Sequence, residues 1–289
     1  MKRCLKCQTP FDDVAWSCPA CGFEPAVKNG FPAFAPELSQ DDGFKDAFFN
    51  ELVKLESSNF WFRARNRIIN WALRQYFPDC ANFLEIGCGT GFVLSGVAAG
   101  RAPARIHGSE ISSAGLAYAA QRVPGGQFFQ MDARQIPFSN EFDVIGAFDV
   151  IEHIQDDALV LQQMFAAIRP GGGLLLTVPQ HQFLWSQTDV HACHVRRYEA
   201  ADLTSKVRAA GFTIERTSSF VSLLLPLMML SRWRDRKANP DYDPLAELRI
   251  GALANTLLGA VMAVERMLVQ AGLNFPFGGS RLLIARKSA

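Results

Sequence analysis

The sequence predicts an α/β fold built on a doubly wound, mostly parallel sheet, and three observations carry that prediction. From Ala81 onwards, short apolar runs alternate with helical segments, the pattern of parallel strands joined by crossover helices. The first run, Phe83-Leu84-Glu85-Ile86, opens into Gly87-Cys88-Gly89-Thr90-Gly91, three glycines at alternate positions ahead of a helix. Such a turn lets backbone pass close to a ligand where a Cβ would block it. Acids then close the next two runs, Glu110 after Ile106-His107-Gly108-Ser109 and Asp132 after Phe128-Phe129-Gln130-Met131. An acid about 20 residues beyond a glycine turn is placed to hold a ribose diol. Strands are expected to end near Ile86, Glu110, Asp132, Phe148 and Val178, with a sixth over residues 212–218.

Composition bounds the rest. With 289 residues and 49% apolar content, one domain of about 200 residues with appendages is the expected organisation. The 29 lysines and arginines nearly cancel the 28 acids, so no global field attracts a polyanion, which argues against a nucleic-acid partner. The first residues lack the apolar core of a signal peptide. The longest apolar candidate for a membrane span, residues 220–230, is broken by Pro226 and falls short of the roughly 20 residues a span needs. A cytoplasmic protein is expected, with membrane contact left open.

Taken in order, the chain begins with Cys4-Leu5-Lys6-Cys7 and Cys18-Pro19-Ala20-Cys21, a CxxC…CxxC pair with ten residues between its halves. Two thiolate hooks at this spacing close a tetrahedral zinc site and hold a segment too small for its own core. Residues 1–24 are therefore expected to be a zinc ribbon with Cys4, Cys7, Cys18 and Cys21 as ligands of a structural zinc, against the alternative of redox-active or idle thiols. Cys80, Cys88 and Cys193 show no ligand spacing. Pro25, Pro32 and Pro36 mark residues 25–43 as a linker. In the helical arm over 44–80, Phe44, Phe48, Leu52 and Leu55 share one stripe and Ile69, Leu73 and Tyr76 another. Within the main domain, 81–219 and 280–289, Ser112 is placed to cap a helix through Arg122. Leu161, Met164, Phe165 and Ile168 mark a helix stopped at Pro170-Gly171, and Gly211 ends another over 199–210.

Residues 220–279 interrupt the domain before its last strand. They open apolar, turn basic across Arg232-Trp233-Arg234-Asp235-Arg236-Lys237, and continue as a long helix with Leu257, Val261, Val264 and Leu268 on one side. Two readings stand: a helical cap over the substrate cleft or a dimer contact, and a peripheral membrane contact through 220–237.

The glycine turn, the acid after the second strand and the acid after the third together resemble the class I S-adenosylmethionine (SAM) methyltransferases. The run from Phe142 to Ile154 is similar to the fourth-strand motif of that superfamily, and Arg169-Pro170-Gly171-Gly172-Gly173 before Leu174-Leu175-Leu176 to its turn into the fifth. The likeness covers residues 60–219 and returns at 280–287. It implies a Rossmann-like sheet of seven strands, the last over 281–287, with SAM as cofactor. By that resemblance Glu85, Gly87, Gly89 and Gly91 build the cofactor turn and Glu110 holds the ribose hydroxyls. Asp132 with the Ala133 backbone flanks adenine, and Phe148 and Asp149 line the methionine portion. The segment Asn59-Phe60-Trp61-Phe62-Arg63-Ala64-Arg65-Asn66-Arg67 resembles the entrance arm of bacterial relatives. There Arg63 or Arg65 pairs with the SAM carboxylate, or else belongs to a solvated basic face.

Methyl transfer from a sulfonium is an in-line displacement, and a hydroxyl acceptor also needs a positioned base. Asp149, Glu152 and His153 fall at i, i+3, i+4 after the fourth strand, and His194 lies in a second group, 189–198, after the fifth. Histidine suits a neutral-pH base, so His153 and His194 are the catalytic candidates. The Asp-x-x-Glu-His pattern is similar to that of ubiquinone-pathway O-methyltransferases and small-RNA 2′-O-methyltransferases, members of which bind a divalent ion there. The likeness implies an ion near Asp149, Glu152 and His153, although those families carry Glu where this chain has the shorter Asp149. Base or substrate contact, metal site and loop bracing all remain open. The expected function is methyl transfer from SAM to an oxygen of a small or lipid-linked metabolite. One alternative is an RNA methyltransferase using the ribbon, as in an rRNA guanine methyltransferase family, but Lys2, Arg3 and Lys6 are offset by Asp12 and Asp13. The other is a non-catalytic SAM-binding protein.

Overall fold

The structure is a computed structural model that describes residues 1–13, 15–39, 46–100, 103–234, 243, 245 and 248–289. Phe44, the Phe48 side chain and the cations of Arg234, Arg236 and Lys237, singled out in the sequence, lie outside the described set.

The N-terminal strands are β1 (Lys2–Arg3), β2 (Pro10–Phe11), β3 (Ala26–Lys28) and β4 (Phe31–Ala33), followed by helices α1 (Asp46–Glu56) and α2 (Phe60–Tyr76). The alternating core then runs β5 (Asn82–Ile86), α3 (Phe92–Ala99), β6 (Arg105–Glu110), α4 (Ser113–Arg122), β7 (Gln127–Gln130), β8 (Phe142–Phe148), α5 (Asp157–Ala167) and β9 (Ile168–Pro179). Helices α6 (Gln187–His191) and α7 (Ala200–Ala209) precede β10 (Thr213–Phe220), α8 (Leu225–Arg234), α9 (Ala252–Gln270) and β11 (Ser280–Arg286). The central sheet has the order β10-β11-β9-β8-β5-β6-β7-β4-β3. The pairings from β7 through β5 to β9 are parallel, and β11 inserts antiparallel between β9 and β10.

Both faces of this sheet are covered. Leu84, Ile145 and Leu174 pack to one side with Leu161, Met164 and Leu203. Phe83, Val144 and Leu175 pack to the other with Ile69, Leu94 and Leu116. That alternation, with period two along strands buried on both faces, is why the strands read as unbroken apolar runs. Truncating a side chain such as Leu84, which is 0% exposed, would cost about 2–5 kcal/mol.

The sheet holds nine strands, where the sequence predicted seven, because 25–43 is more than a linker. Ala26–Lys28 and Phe31–Ala33 form a hairpin around Asn29 (φ 51°) and Gly30 (φ 85°). Asn-Gly is the preferred pair for a two-residue turn with both φ angles positive, and this signal outweighs the prolines. Pro32 is tolerated because β4 meets β7 at a single residue pair, Ala33 with Gln130. The Gln130 side chain completes the join, accepting from the Ala35 amide at 3.1 Å and donating to the Ala35 carbonyl at 2.6 Å. The free edge of the parallel sheet is thereby closed by the chain's own N-terminus.

Ahead of the hairpin, Cys4, Phe11 and Cys18 form a small buried cluster. Trp16 packs edge-on against Phe34, Phe129 and Phe138 at centroid distances of 4.6, 5.6 and 5.4 Å. Arg3 donates to the Ile136 carbonyl at 2.9 Å and to Gln163 Oε1 at 2.6 Å. The N-terminal segment is thus docked on the loop that follows β7.

In the arm, the aromatic and arginine segment is the first half of α2, capped by Asn59, whose side chain accepts from the Trp61 amide at 2.8 Å. Ser112 takes the N-cap position of α4, although its side chain makes no capping hydrogen bond. The insertion differs from its sequence reading in two respects. Among the described residues the longest apolar helix is α9, not 220–230; its 19 residues satisfy the length and composition of a membrane span while only 17% of the apolar window is buried. Its inner face is Met262, Glu265 and Val269, so Leu257, Val264 and Leu268 point outward.

Candidate active site

The carboxyl ends of β5, β6 and β8 frame a crevice at the point where strand order reverses between β5 and β8. Gly87, Gly89 and Gly91 all have positive φ, at 66°, 51° and 75°. A Cβ on Gly91 would lie 2.7 Å from the Ala119 Cα, so that glycine lets α3 start against α4. A Cβ on Gly89 meets nothing within 4 Å, because this position borders open cleft. Glu110 braces the turn. Its Oε2 accepts from the Gly89 amide at 2.9 Å and its Oε1 from the Ile111 amide at 2.8 Å. Burial raises the Glu110 pKa while these amides pull it down.

A cleft of about 970 Å³ opens from the turn and is mostly apolar, with Phe60, Trp61, Phe62, Phe92, Phe148 and Leu224 among its walls. Glu85, Gly87, Gly89, Asp149, His153 and His194 line it too. Glu110, Asp132 and Ala133 are outside its lining. Asp132 is held by Arg134, whose Nε donates to its two oxygens at 3.1 and 2.9 Å. The cleft therefore borders the glycine turn on the side of Phe148 and Asp149, away from Glu110 and Asp132.

The arginine of the arm that enters the site is Arg65, not Arg63. Residues two apart on a helix face nearly opposite directions, and Arg65 is buried while Arg63 lines a separate cleft against α9. Arg65 Nε pairs with Asp149 Oδ2 at 2.5 Å, and its Nη2 donates to the Phe148 carbonyl. Asp149 sits at φ 56°, a left-handed conformation costly for a non-glycine residue and fixed here by the Asp149 amide donating to the Thr177 carbonyl at 2.8 Å. Glu85, fully enclosed, has its pKa raised well above the usual carboxylate value by burial, with Arg65 pulling the other way.

The second wall brings the two predicted histidines together, with ring centroids 4.7 Å apart. His194 Nδ1 lies 2.8 Å from Asp189 Oδ1, and Arg197 Nε donates to the same oxygen at 2.7 Å. Burial opposes charge on Asp189, but its bonds to His194 and Arg197 outweigh that and hold its pKa below the usual value. An ionised Asp189 on Nδ1 leaves Nε2 of His194 as the acceptor nitrogen, the tautomer a general base requires. His153 is lowered to about 4 by burial and by His194, and so is neutral at ordinary pH.

Ligand atoms of Glu152, His153 and His194 all lie within 4.8 Å of one another. Glu152 is completely buried, neither carboxyl oxygen reaches a hydrogen-bond partner, and burial raises its pKa well above the usual value. A carboxyl stranded in this way fits a divalent ion. Asp149 does not belong to that group, because its carboxylate is committed to the Arg65 cation. In the N-terminal segment, the sulfurs of Cys4 and Cys21, and of Cys7 and Cys18, are 3.6 Å apart. Four Zn–S bonds of about 2.3 Å in a tetrahedron require about 3.8 Å, so the four thiols fit zinc.

Three residues of the site have no role assigned to them from the sequence. Glu56 on α1 accepts from Thr90 Oγ1 at 2.8 Å and Arg122 Nη1 at 2.6 Å, latching the arm to the glycine turn. No spacing marks it. Asp189 was signalled, since Ser186-x-x-Asp189 is a capping-box pattern and the structure forms that box. Arg232 joins α8 to this loop by donating to Ser186 Oγ at 2.8 Å.

Strand order and glycine turn define a Rossmann-like α/β fold with the kind of turn that approaches a nucleotide cofactor. The profile described as "Methyltransferase domain" matches residues 55–217, over half of the chain, so the chain belongs to that family. The "probable S-adenosylmethionine-dependent methyltransferase" of Mycolicibacterium smegmatis is 31% identical over 169 residues, 56% of this chain and 63% of that protein. The phthiotriol/phenolphthiotriol dimycocerosates methyltransferase of Mycobacterium leprae is 29% identical over 42% of this chain and 46% of its own length. Phosphoethanolamine N-methyltransferase 2 of Haemonchus contortus, solved with SAM, shares the fold at 19% identity and TM-score 0.58, covering 88% of this chain and 60% of that one. The chain spans about three fifths of the length of the curated relatives it matches first.

Proposed function

We propose that this protein transfers a methyl group from SAM to a hydroxyl of a small or lipid-linked metabolite, with His194 as the base. The observation that carries the reading is His194, bonded from behind by the buried Asp189, facing the same cleft as the glycine turn. Arg65 would meet the SAM carboxylate, and Glu110, beyond Gly89, the ribose. An in-line displacement needs a partly dry, aligned pocket, and the aromatic walls supply one. Nε2 of His194 would take the proton as the acceptor oxygen attacks the methyl carbon and the sulfur leaves as the neutral thioether.

A lipid-linked acceptor is supported by the apolar lining of the cleft and by the likeness to a mycobacterial lipid methyltransferase. An RNA acceptor is less well supported, since Lys2 Nζ donates to the Asp13 and Ala15 carbonyls at 2.5 and 2.9 Å and Arg3 is spent on the domain. The stranded Glu152 favours a second reading of the same wall, in which Glu152, His153 and His194 hold a divalent ion that polarises the acceptor oxygen. A cytoplasmic location suits either acceptor. Isotopically labelled SAM incubated with the protein and with separate lipid, small-metabolite and RNA fractions tests the proposal. Label in lipid or metabolites is expected; label in RNA alone, or none, overturns it. Chelator-resistant turnover would remove the metal reading.

A further inference from the structure

Helix α9 turns its apolar residues to solvent. Leu253 is 75% exposed and Leu257 59%, with Val264, Met267 and Leu268 also exposed. At 3.6 residues per turn these five fall within an arc of about 100°. The opposite face is fixed to the domain, where Glu265 accepts from the amides of Val221, Ser222 and Leu223 at 2.6, 2.6 and 2.8 Å. Although α9 has the length and composition of a span, this attachment presents it to a bilayer side-on.

On the flank of the exposed stripe, a cleft of about 270 Å³ between α2 and α9 is lined by Arg63, Arg67 and Arg266 together with Phe60, Thr256 and Gly259. Among the described residues none of these three arginines has an ion-pair partner; Arg266 Nη1 donates to Gln270 Oε1 at 3.2 Å. Unneutralised guanidinium groups match phosphate oxygens in a fork geometry. Beside them, an outward apolar stripe matches acyl chains, so headgroup and tail would be met together. Leu227, Met229, Leu230 and Trp233 of α8 are exposed as well. A two-fold contact between copies along the α9 stripe would set arginine clusters near each other, and the one acid on α9, Glu265, is buried.

We infer that α9 and the Arg63–Arg67–Arg266 cleft dock the protein on an anionic phospholipid bilayer, a lipid phosphate entering the cleft. The inference is independent of which methyl acceptor is used. It moves the membrane contact from the 220–237 run to the long helix.

Flotation of the full chain with vesicles of phosphatidylcholine, or of phosphatidylcholine and phosphatidylglycerol, tests it. Binding is expected to be roughly tenfold or more stronger with phosphatidylglycerol and to weaken with salt. Arg67→Glu with Arg266→Glu should abolish that preference, and Leu257→Ser with Val264→Ser should release the protein from both vesicles. At matched ionic strength, inorganic phosphate should release no more protein than chloride does. Calorimetry with SAM should read the same in all variants, showing the fold intact and separating this outcome from failure of the cofactor reading. Wild type that stays unbound, or arginine variants that bind as before, would overturn the inference. So would a concentration-dependent dimer lost in Leu257→Ser with no vesicle binding.

Discussion

Glu110 Oε2 accepts a hydrogen bond from the Gly89 amide at 2.9 Å, joining the end of the second parallel strand to the turn after the first. One carboxylate thus shapes the backbone a cofactor must approach and, in the proposed reading, also meets the ribose. Replacing it removes both effects. Glu110→Ala is expected to weaken SAM binding about 10- to 100-fold, the range for losing a charged hydrogen bond, as read by calorimetry. Glu110→Gln, which can still accept from Gly89, should lose less; equal losses would mean that the bond to Gly89 contributes nothing to the affinity.

Arg65 and Arg63 offer a direct comparison. Arg65→Ala leaves Asp149 without its cation in an enclosed site, so SAM affinity should fall about tenfold or more. Arg63→Ala should change SAM affinity by less than about twofold, because its side chain is exposed on the far face of α2. Binding isotherms for the two variants decide between them.

The parallel core was legible because its strands are buried on both faces and its glycines fall where φ must be positive, and both leave marks in sequence. The edge hairpin was hidden by Pro32, although Asn29-Gly30 announced it. Orientation on helices was harder. Leu257, Val264 and Leu268 share a stripe, but a stripe does not say whether it faces a core or solvent, and Glu265 settled that through backbone amides 42 to 44 residues earlier in the chain. The wall that holds the two histidines followed the same logic. His153 and His194 were visible as residue types, whereas the choice between Asp149 and Asp189 as partner rested on where Arg65 lies, a long-range fact.

His107 gives a pH prediction. It is buried against Phe129 and Phe142 with neither ring nitrogen hydrogen-bonded, and burial, followed by the Arg105 charge, lowers its pKa to about 4. Below the unfolded value of about 6.5 the unfolded chain binds a proton that the native chain refuses. Its contribution therefore falls as pH drops from about 6.5 towards 4, by up to about 3 kcal/mol. Glu85 and Glu152, raised by burial, act with the opposite sign, so the wild-type curve mixes the two. His107→Leu should flatten the acid side of the stability profile relative to wild type in denaturant melts at successive pH values. An unchanged slope would show that His107 titrates normally.

Zinc should be a stability element. Removing it with a chelator would free the segment that places Trp16 among Phe34, Phe129 and Phe138. The expected result is one zinc per chain, a red shift of tryptophan emission on chelation and a lower melting temperature. Cys18→Ser should reproduce it. Trp16→Ala should destabilise by about 2–4 kcal/mol with zinc still bound. A full-length protein without zinc whose melting is indifferent to chelator contradicts this role.

The Asp189–His194 pair carries the chemistry in the proposed reaction, and its two members should fail differently. His194→Gln removes the base itself, with an expected loss of about 10²- to 10⁴-fold in kcat. Asp189→Asn keeps the shape of the loop and its capping box but takes the negative charge from Nδ1, so the ring is no longer held in the tautomer with Nε2 free. Its kcat should drop by a comparable factor with SAM affinity within about threefold of wild type. If Asp189 only braced the loop through Arg197, the loss would instead appear in KM and in melting temperature. The double variant distinguishes cooperation from independent effects: residues acting as one unit should lose no more together than His194→Gln loses alone.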